Sequence, residues 1–144
     1  MKNLIRVVFI FMLLNIPSAH AQSDYLRVRS MELTYMGWYS ETFKPMDCQT
    51  LLSPLNNAMV GRIIILQDQE FFNRIQHALD GLQKIRAHEK PDVRIVLRIY
   101  YADNKVSTIC VGNNRVLTID GDVMNYSQDL VDLIRSAVPL SHLQ

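Results

Sequence analysis

The sequence has few of the residues that mark a special chemistry. It contains two cysteines, one tryptophan, five glycines and five prolines in 144 residues, and its 15 basic residues almost balance its 14 acidic ones. Balanced charge gives no basic field with which to hold a polyphosphate, so we expect no nucleic-acid partner. With 49% apolar and 20% charged residues the composition is that of an ordinary globular protein, and the length fits one domain.

Motifs of familiar catalytic sites are also missing. Neither GxSxG nor HExxH occurs, and there is no glycine-rich phosphate loop. The stretch Asp120-Gly121-Asp122 resembles a fragment of a calcium loop, but Val123 and Met124 follow where oxygen ligands would be needed, which favours a hairpin turn. We therefore predict no catalytic residue, no cofactor and no metal site.

Residues 1–21 have the three parts of a secretory signal. Lys2 and Arg6 give a positively charged N-terminal region, and residues 7–14 form an apolar stretch. Ala19-His20-Ala21 then has the small residues of a signal-peptide cleavage site. A short membrane anchor is the alternative, but an apolar run this short falls well below the roughly 20 residues that span a bilayer. We expect cleavage after Ala21 and a periplasmic or secreted protein.

The mature chain, residues 22–144, is predicted to be one small α+β domain with no stable membrane anchor. Cleavage would remove two of the 15 basic residues, Lys2 and Arg6, and none of the 14 acidic ones, which leaves a net charge of −1. The longest remaining apolar run, residues 63–66, is far too short to cross a membrane. The mature surface should therefore be nearly neutral.

The two cysteines, Cys48 and Cys110, both lie in the mature chain. Secretion would carry them into an oxidising compartment, where one disulfide is the economical interpretation. Two separate buried thiols remain the alternative. A zinc site is disfavoured because the cysteines are far apart in sequence and lack the paired spacing of structural zinc ligands.

Hydrophobic periodicity indicates both helices and strands. Alternation or short β-branched runs predict strands at residues 31–39, 61–66, 93–101, 106–111 and 115–119. Spacings of three and four, with capping residues, predict helices at residues 47–52, 68–86 and 127–138. Short turns between the later strands require antiparallel pairing. We predict an α+β fold: an antiparallel β-meander sheet of four to five strands, packed by one long amphipathic helix and a C-terminal helix.

Aromatic residues and arginines suggest an interaction patch. Trp38 and Tyr39 follow the first predicted strand, and Tyr100 lies near the end of the long strand, whose outer face carries Arg94 and Arg98. Protein interfaces concentrate these residue types. The alternative is cross-strand packing and core filling, because aromatic residues favour strands whatever the function.

Three functions remain open from the sequence. The favoured one is an exported, noncatalytic protein that binds a protein partner, as an inhibitor or an immunity protein does. The alternative is a small envelope ligand carrier or a carboxylate-dependent hydrolase, with Asp103, Asp120 and Asp122 at the turns. A third is a homo-oligomeric envelope component that pairs through the edge of its sheet.

Overall fold

A computed structural model of the protein describes residues 28–56, 60–66, 68–86 and 89–139. The predicted signal peptide lies outside these residues. The strands are β1 (Val28–Tyr35), β2 (Gly61–Leu66), β3 (Val93–Tyr101), β4 (Val106–Gly112), β5 (Leu117–Ile119) and β6 (Asp122–Met124). The helices are α1 (Cys48–Leu52), α2 (Gln69–Asp80) and α3 (Gln128–Ser136), with a single 3₁₀ turn at Pro54–Asn56.

The six strands form one antiparallel sheet in the order β2-β1-β3-β4-β5-β6. The α+β class is confirmed, whereas the predicted number of four to five strands is too low. The additional strand, β6, follows the tight turn at Asp120 and Gly121, whose φ values are 51° and 90°. Positive φ at both central residues matches the twist of a hairpin, so the chain turns straight back to pair with β5.

The long helix is shorter than its apolar periodicity predicts. Asp68 begins it as expected, because its carboxylate accepts a hydrogen bond from the Phe71 amide at 2.8 Å. The helix ends at Asp80, with Gly81 as its C-cap, instead of continuing to Arg86. The following segment leaves the helix to pair with β6, and the Ile85 amide donates to the Val123 carbonyl at 2.8 Å. Tertiary pairing therefore overrides the helical pattern there.

One face of the sheet, the core face, packs against α2 and α3. The central strand β3 contributes Ile95, Leu97 and Ile99, all of them buried, which its alternating pattern predicted. Helix α3 begins at the predicted cap, since Ser127 Oγ accepts from the Leu130 amide at 3.3 Å. The predicted C-terminal helix is thus confirmed. The helices supply six buried side chains to the same core: Phe72, Ile75, Leu130, Val131, Leu133 and Ile134.

The other face, the outer face, is covered at one end by α1. Asp47 caps this helix by accepting from the Thr50 amide at 2.7 Å, as predicted. Leu51 is its one buried residue and belongs to a small apolar cluster with Val96 and Cys110 on the sheet. The Cys48–Cys110 disulfide joins α1 to β4 with a Cα separation of 6.0 Å, which confirms the predicted bond.

The first two strands differ from expectation. β1 begins earlier and ends at Tyr35 instead of Tyr39, because the chain turns where the Ser40 amide donates to the Gly37 carbonyl at 3.1 Å. The short β-branched run of residues 61–66 predicts a buried strand, but β2 lies at the sheet edge, and 67% of Ile64 is exposed. A β-branched run has the same sequence pattern in a central strand and in an edge strand.

Candidate functional site

The outer face carries polar and aromatic side chains where α1 does not cover it. The register places Ile64, Glu32, Arg98 and Thr108 side by side across four strands. Helix α1 packs on the neighbouring row, which contains Val96, and no other described helix covers the remainder. We call this uncovered part of β1, β3 and β4 the open face. It consists of Ser30, Glu32, Arg98, Tyr100, Val106 and Thr108.

A hydrogen-bonded cluster lies at the centre of the open face. Glu32 accepts from Arg98 at 2.8 Å with one carboxylate oxygen, and from the Tyr100 hydroxyl at 3.1 Å with the other. The Arg98 guanidinium also lies 5.7 Å from the centre of the Tyr100 ring. Three side chains from two strands therefore hold one another in fixed positions.

The environment of the cluster shifts the pKa values of Glu32 and Tyr100. Burial raises the pKa of Glu32, but the hydrogen bonds from Arg98 and Tyr100 lower it, and the resulting pKa lies below the usual value of a glutamate. Burial, together with the bond to Glu32, raises the pKa of Tyr100. Glu32 is thus held ionised and Tyr100 protonated, which suits a binding surface better than proton transfer near neutral pH.

Arg94, predicted on an exposed outer face, is instead buried. It points to the outer face, but the loop after β1 covers it, and only 2% of the residue is exposed. Its two terminal nitrogens each lie 2.7 Å from an oxygen of Asp92, and one of them also donates to the Ser40 carbonyl at 3.0 Å. Arg94 therefore holds the loop against β3 and cannot present its charge to a partner.

The two aromatic residues after β1 have different surroundings. Trp38 is buried at 8% exposure within the main core, with the Arg135 guanidinium 4.5 Å from its ring centre. Tyr39, the next residue, is 70% exposed. Core filling, the alternative interpretation of these aromatics, thus fits Trp38. Tyr39 alone of the pair is open to contact.

The predicted patch is also divided along the strand. The Met36 amide donates to the Arg94 carbonyl, so the loop bearing Trp38 and Tyr39 leaves the sheet at that end of β3. Tyr100 lies six positions farther along β3, which corresponds to about 20 Å in an extended strand. Only Arg98 and Tyr100 of the five predicted residues share the open face, and they share it with Glu32.

A groove next to the disulfide adjoins the open face at Thr108. It has a volume of about 670 Å³ and lies between the start of α1, residues 89–91 and strands β4 to β6. Its lining includes three carboxylates, Asp47, Glu89 and Asp120, and one cation, Lys90. The volume is within the range of small-molecule sites. A disulfide at such a groove is compatible with an oxidising, extracellular compartment.

The turn aspartates are engaged locally. Asp103 forms an ion pair with Lys105 at 3.0 Å, and Asp122 pairs with Lys84. Asp120 accepts from the Ser107 hydroxyl at 2.9 Å and from the Thr108 amide at 2.7 Å. Of the three turn aspartates only Asp120 lines the groove. The arrangement thus provides one turn carboxylate to a ligand there instead of a group of three.

Within the part of the chain that the structure describes, no group of three or more histidine, cysteine or acidic side chains is arranged to hold a metal ion. None of the helices in that part is long and apolar enough to cross a membrane. His77 is exposed on α2, while His88 and His142 lie outside the described residues.

Two residues of this surface were missed at the sequence level. Glu32 is one polar position in an alternating strand, and nothing near it in sequence indicates that it meets Arg98, 66 positions away. Asp92 could have been found, since a carboxylate two positions from Arg94 lies on the same side of an extended strand. Pairing between β1 and β3 is the information that local patterns lack.

Comparisons of the chain with protein-family models, with curated protein sequences and with solved structures find no match.

Proposed function

We propose that the protein is an exported, noncatalytic binding protein that holds a protein partner on its open face. The observation that carries the proposal is the Glu32–Arg98–Tyr100 cluster, which lies on the part of the outer face that no described helix covers. Arginine and tyrosine are enriched among the residues that supply most of the binding energy at protein interfaces. An ion pair that is already fixed in position also loses less conformational entropy when a partner binds.

The neighbours of the cluster favour a protein over a small polar ligand. Val106 lies opposite Tyr100 on β4 and is 46% exposed, and Thr108 lies opposite Arg98. The open face thus combines an apolar edge, an aromatic ring and both signs of charge on the surface of a sheet. Aromatic rings and arginines are enriched where proteins bind proteins, whereas small molecules need a concave site, and none of the described cavities is lined by Glu32, Arg98 or Tyr100.

The test uses contact probes placed on and off the open face. We would replace Val106 with a photo-crosslinking amino acid in the exported, tagged full chain, and place the same probe at Asn73, which is exposed on α2. We expect one protein other than a second copy of this chain to be crosslinked from Val106 at near-stoichiometric yield, and not from Asn73. Equal yields from both positions, or no adduct from Val106, would contradict the proposal.

Substitutions separate binding from folding. Val106→Asp and Thr108→Arg are expected to weaken capture of the crosslinked partner about tenfold or more, because each places a charge in the contact area. Asn73→Asp serves as the matched control on α2 and should leave capture unchanged. Melting temperatures are measured in parallel. Losses of capture that follow losses of stability would show that the open face only supports the fold.

The groove beside the disulfide supports a second proposal, a carrier of envelope glycans or lipids. Its volume of about 670 Å³ and its mixed carboxylate and lysine lining are the observations that favour it. Thermal unfolding with soluble peptidoglycan fragments and with short-chain phospholipids tests it. A ligand should raise the melting temperature by a few degrees, and Glu89→Gln should reduce that shift. No shift with either class of ligand would contradict the carrier.

A further inference from the structure

The charged side chains of β1, β2 and β3 do not balance one another. These strands contain four arginines and a single acidic residue, Glu32. Arg94 is neutralised by Asp92, which lies just outside the strands. Glu32 forms its ion pair with Arg98. The register places Arg62 on the outer face together with Glu32 and Arg98, and these three strands offer its charge no further carboxylate.

A bulge in β1 adds another arginine to the border of the open face. The pairing of β1 with β3 shifts by one residue just before Ser30, so Arg29 is the extra residue of the bulge. A bulge re-aims side chains relative to the regular alternation of a strand. Burial and the bond to Glu32 raise the pKa of Tyr100, and the charge of Arg29 opposes that rise. Arg29 is exposed and therefore borders the open face beside Tyr100.

Arg62 borders the open face on the side of β2. One terminal nitrogen of its guanidinium donates to the Leu52 carbonyl, at the end of α1, at 3.4 Å, and the residue remains exposed. Burial raises the pKa of Glu32, but hydrogen bonds and the nearby charges of Arg98 and Arg62 bring it below the usual value. The charge of Arg62 therefore acts on the same surface as the cluster.

Positive charge is concentrated on this part of the sheet. Arg29, Arg62 and Arg98 accompany one carboxylate, that of Glu32, which leaves an excess of two positive charges. Residues 22–144 have a net charge of −1, so the rest of them carry a net charge of −3. The groove beside the disulfide, for example, is lined by three carboxylates and one cation. A basic surface on a negatively charged chain attracts and orients an acidic partner.

We propose that the protein partner of the open face binds through an acidic segment, whose carboxylates pair with Arg29, Arg62 and Arg98. This inference rests on the proposed function and adds the chemistry of the partner. Arg98 can make such a contact, because only its Nη2 donates to Glu32 and 30% of its side chain is exposed. A segment of a protein can also contact the exposed side chain of Val106, which a free anion would leave unused.

Substitutions at the two bordering arginines test the proposal. Binding is measured between the exported full chain and the purified protein that is crosslinked from Val106. Arg29→Gln and Arg62→Gln should each weaken binding about twofold to fivefold, and together about tenfold, since exposed ion pairs are lost. Arg29→Lys and Arg62→Lys should retain most of the affinity, because lysine keeps the charge. Arg74→Gln, at an exposed arginine on α2, is the matched control and should have no effect.

Ionic strength gives a second measurement on the same complex. Raising the salt from about 50 mM to about 300 mM should weaken binding of the native chain about tenfold, because salt screens exposed charges. Binding by the double variant Arg29→Gln with Arg62→Gln should change much less. Binding that ignores both the salt and the double variant, but is lost in Val106→Asp, would overturn the acidic segment and leave the proposed function standing. Absence of any protein crosslinked from Val106 would overturn both.

Vesicles of phosphatidylglycerol test a different source of negative charge. We expect the exported protein not to sediment with them at about 150 mM salt. Cosedimentation that Arg29→Gln and Arg62→Gln abolish, without a protein adduct from Val106, would assign these arginines to a membrane surface and overturn the proposal.

Discussion

Arg94 and Asp92 form a two-pronged ion pair at the start of β3, with both nitrogen-to-oxygen distances at 2.7 Å. The arginine is almost completely buried, and Asp92 also accepts from the Met46 amide at 3.0 Å. The Asp92 carboxylate thus binds Arg94 on β3 and also binds Met46, at the end of the loop that crosses over Arg94. The pair holds residues 36–46 in place, and with them the approach to α1 and the disulfide.

The first prediction concerns this pair. Asp92→Asn keeps the shape of the side chain but leaves the buried Arg94 charge without a counter-ion, so we expect a loss of about 3 kcal/mol in the free energy of unfolding. Asp122→Asn, which breaks the exposed pair with Lys84, should cost less than about 1 kcal/mol. Urea unfolding of both variants measures the difference. Equal effects would show that the Arg94 charge is not buried as described.

The second prediction separates the two aromatic residues after β1. Trp38→Ala removes a buried ring and its contact with Arg135, so it should destabilise the protein by about 3 to 5 kcal/mol. Tyr39→Ala removes an exposed ring and should change stability by less than about 0.5 kcal/mol. Thermal unfolding of the two variants checks this. A large destabilisation by Tyr39→Ala would place that ring against the fold instead of in solvent.

Local patterns in the sequence predicted the elements better than their arrangement. The caps at Asp47, Asp68 and Ser127 were all found, because a capping side chain bonds to an amide only three residues away. The extent of β3 was predicted correctly, since alternation over nine residues is a strong signal. The disulfide followed from cysteine count and the expected compartment.

Features that depend on contacts between segments far apart in the sequence were not predicted. The end of α2 at Asp80 is decided by the contact of residues 83–85 with β6, which helical periodicity does not reveal. The edge position of β2 is decided by strand order. Burial of Arg94 depends on the loop after β1 folding over it. These are tertiary effects, and for the same reason the predicted patch was found to be divided between two ends of the sheet.

The third prediction concerns the disulfide. The Cys48–Cys110 bond joins residues 62 positions apart, and in the chain-entropy model closing such a loop stabilises the fold by about 4 kcal/mol. We expect the double variant Cys48→Ala with Cys110→Ala to unfold at a clearly lower urea concentration. Reducing agent should destabilise the native protein to a similar degree and leave the double variant unchanged. An effect of reductant on that variant would point to a cause other than this bond.

The fourth prediction is a pH dependence caused by the open-face cluster. The pKa of Glu32 is lower in the folded protein than its usual value of about 4.3, so its contribution to stability is complete above that value. The contribution is lost as pH falls through the lowered pKa. Glu32→Gln should therefore be less stable than the native chain near neutral pH, and the two should converge as pH falls through this lowered pKa.

Tyr100 gives the complementary prediction at high pH. Its pKa is raised above the usual value of about 10, so its contribution is present at lower pH and is lost as pH rises through the raised pKa. Tyr100→Phe should thus differ from the native chain near neutral pH and converge with it in strong alkali. Unfolding curves of the native chain, Glu32→Gln and Tyr100→Phe across the pH range measure the contributions of both residues. A difference between native and Glu32→Gln that stays constant into acid would show that the carboxylate is not held ionised by Arg98 and Tyr100.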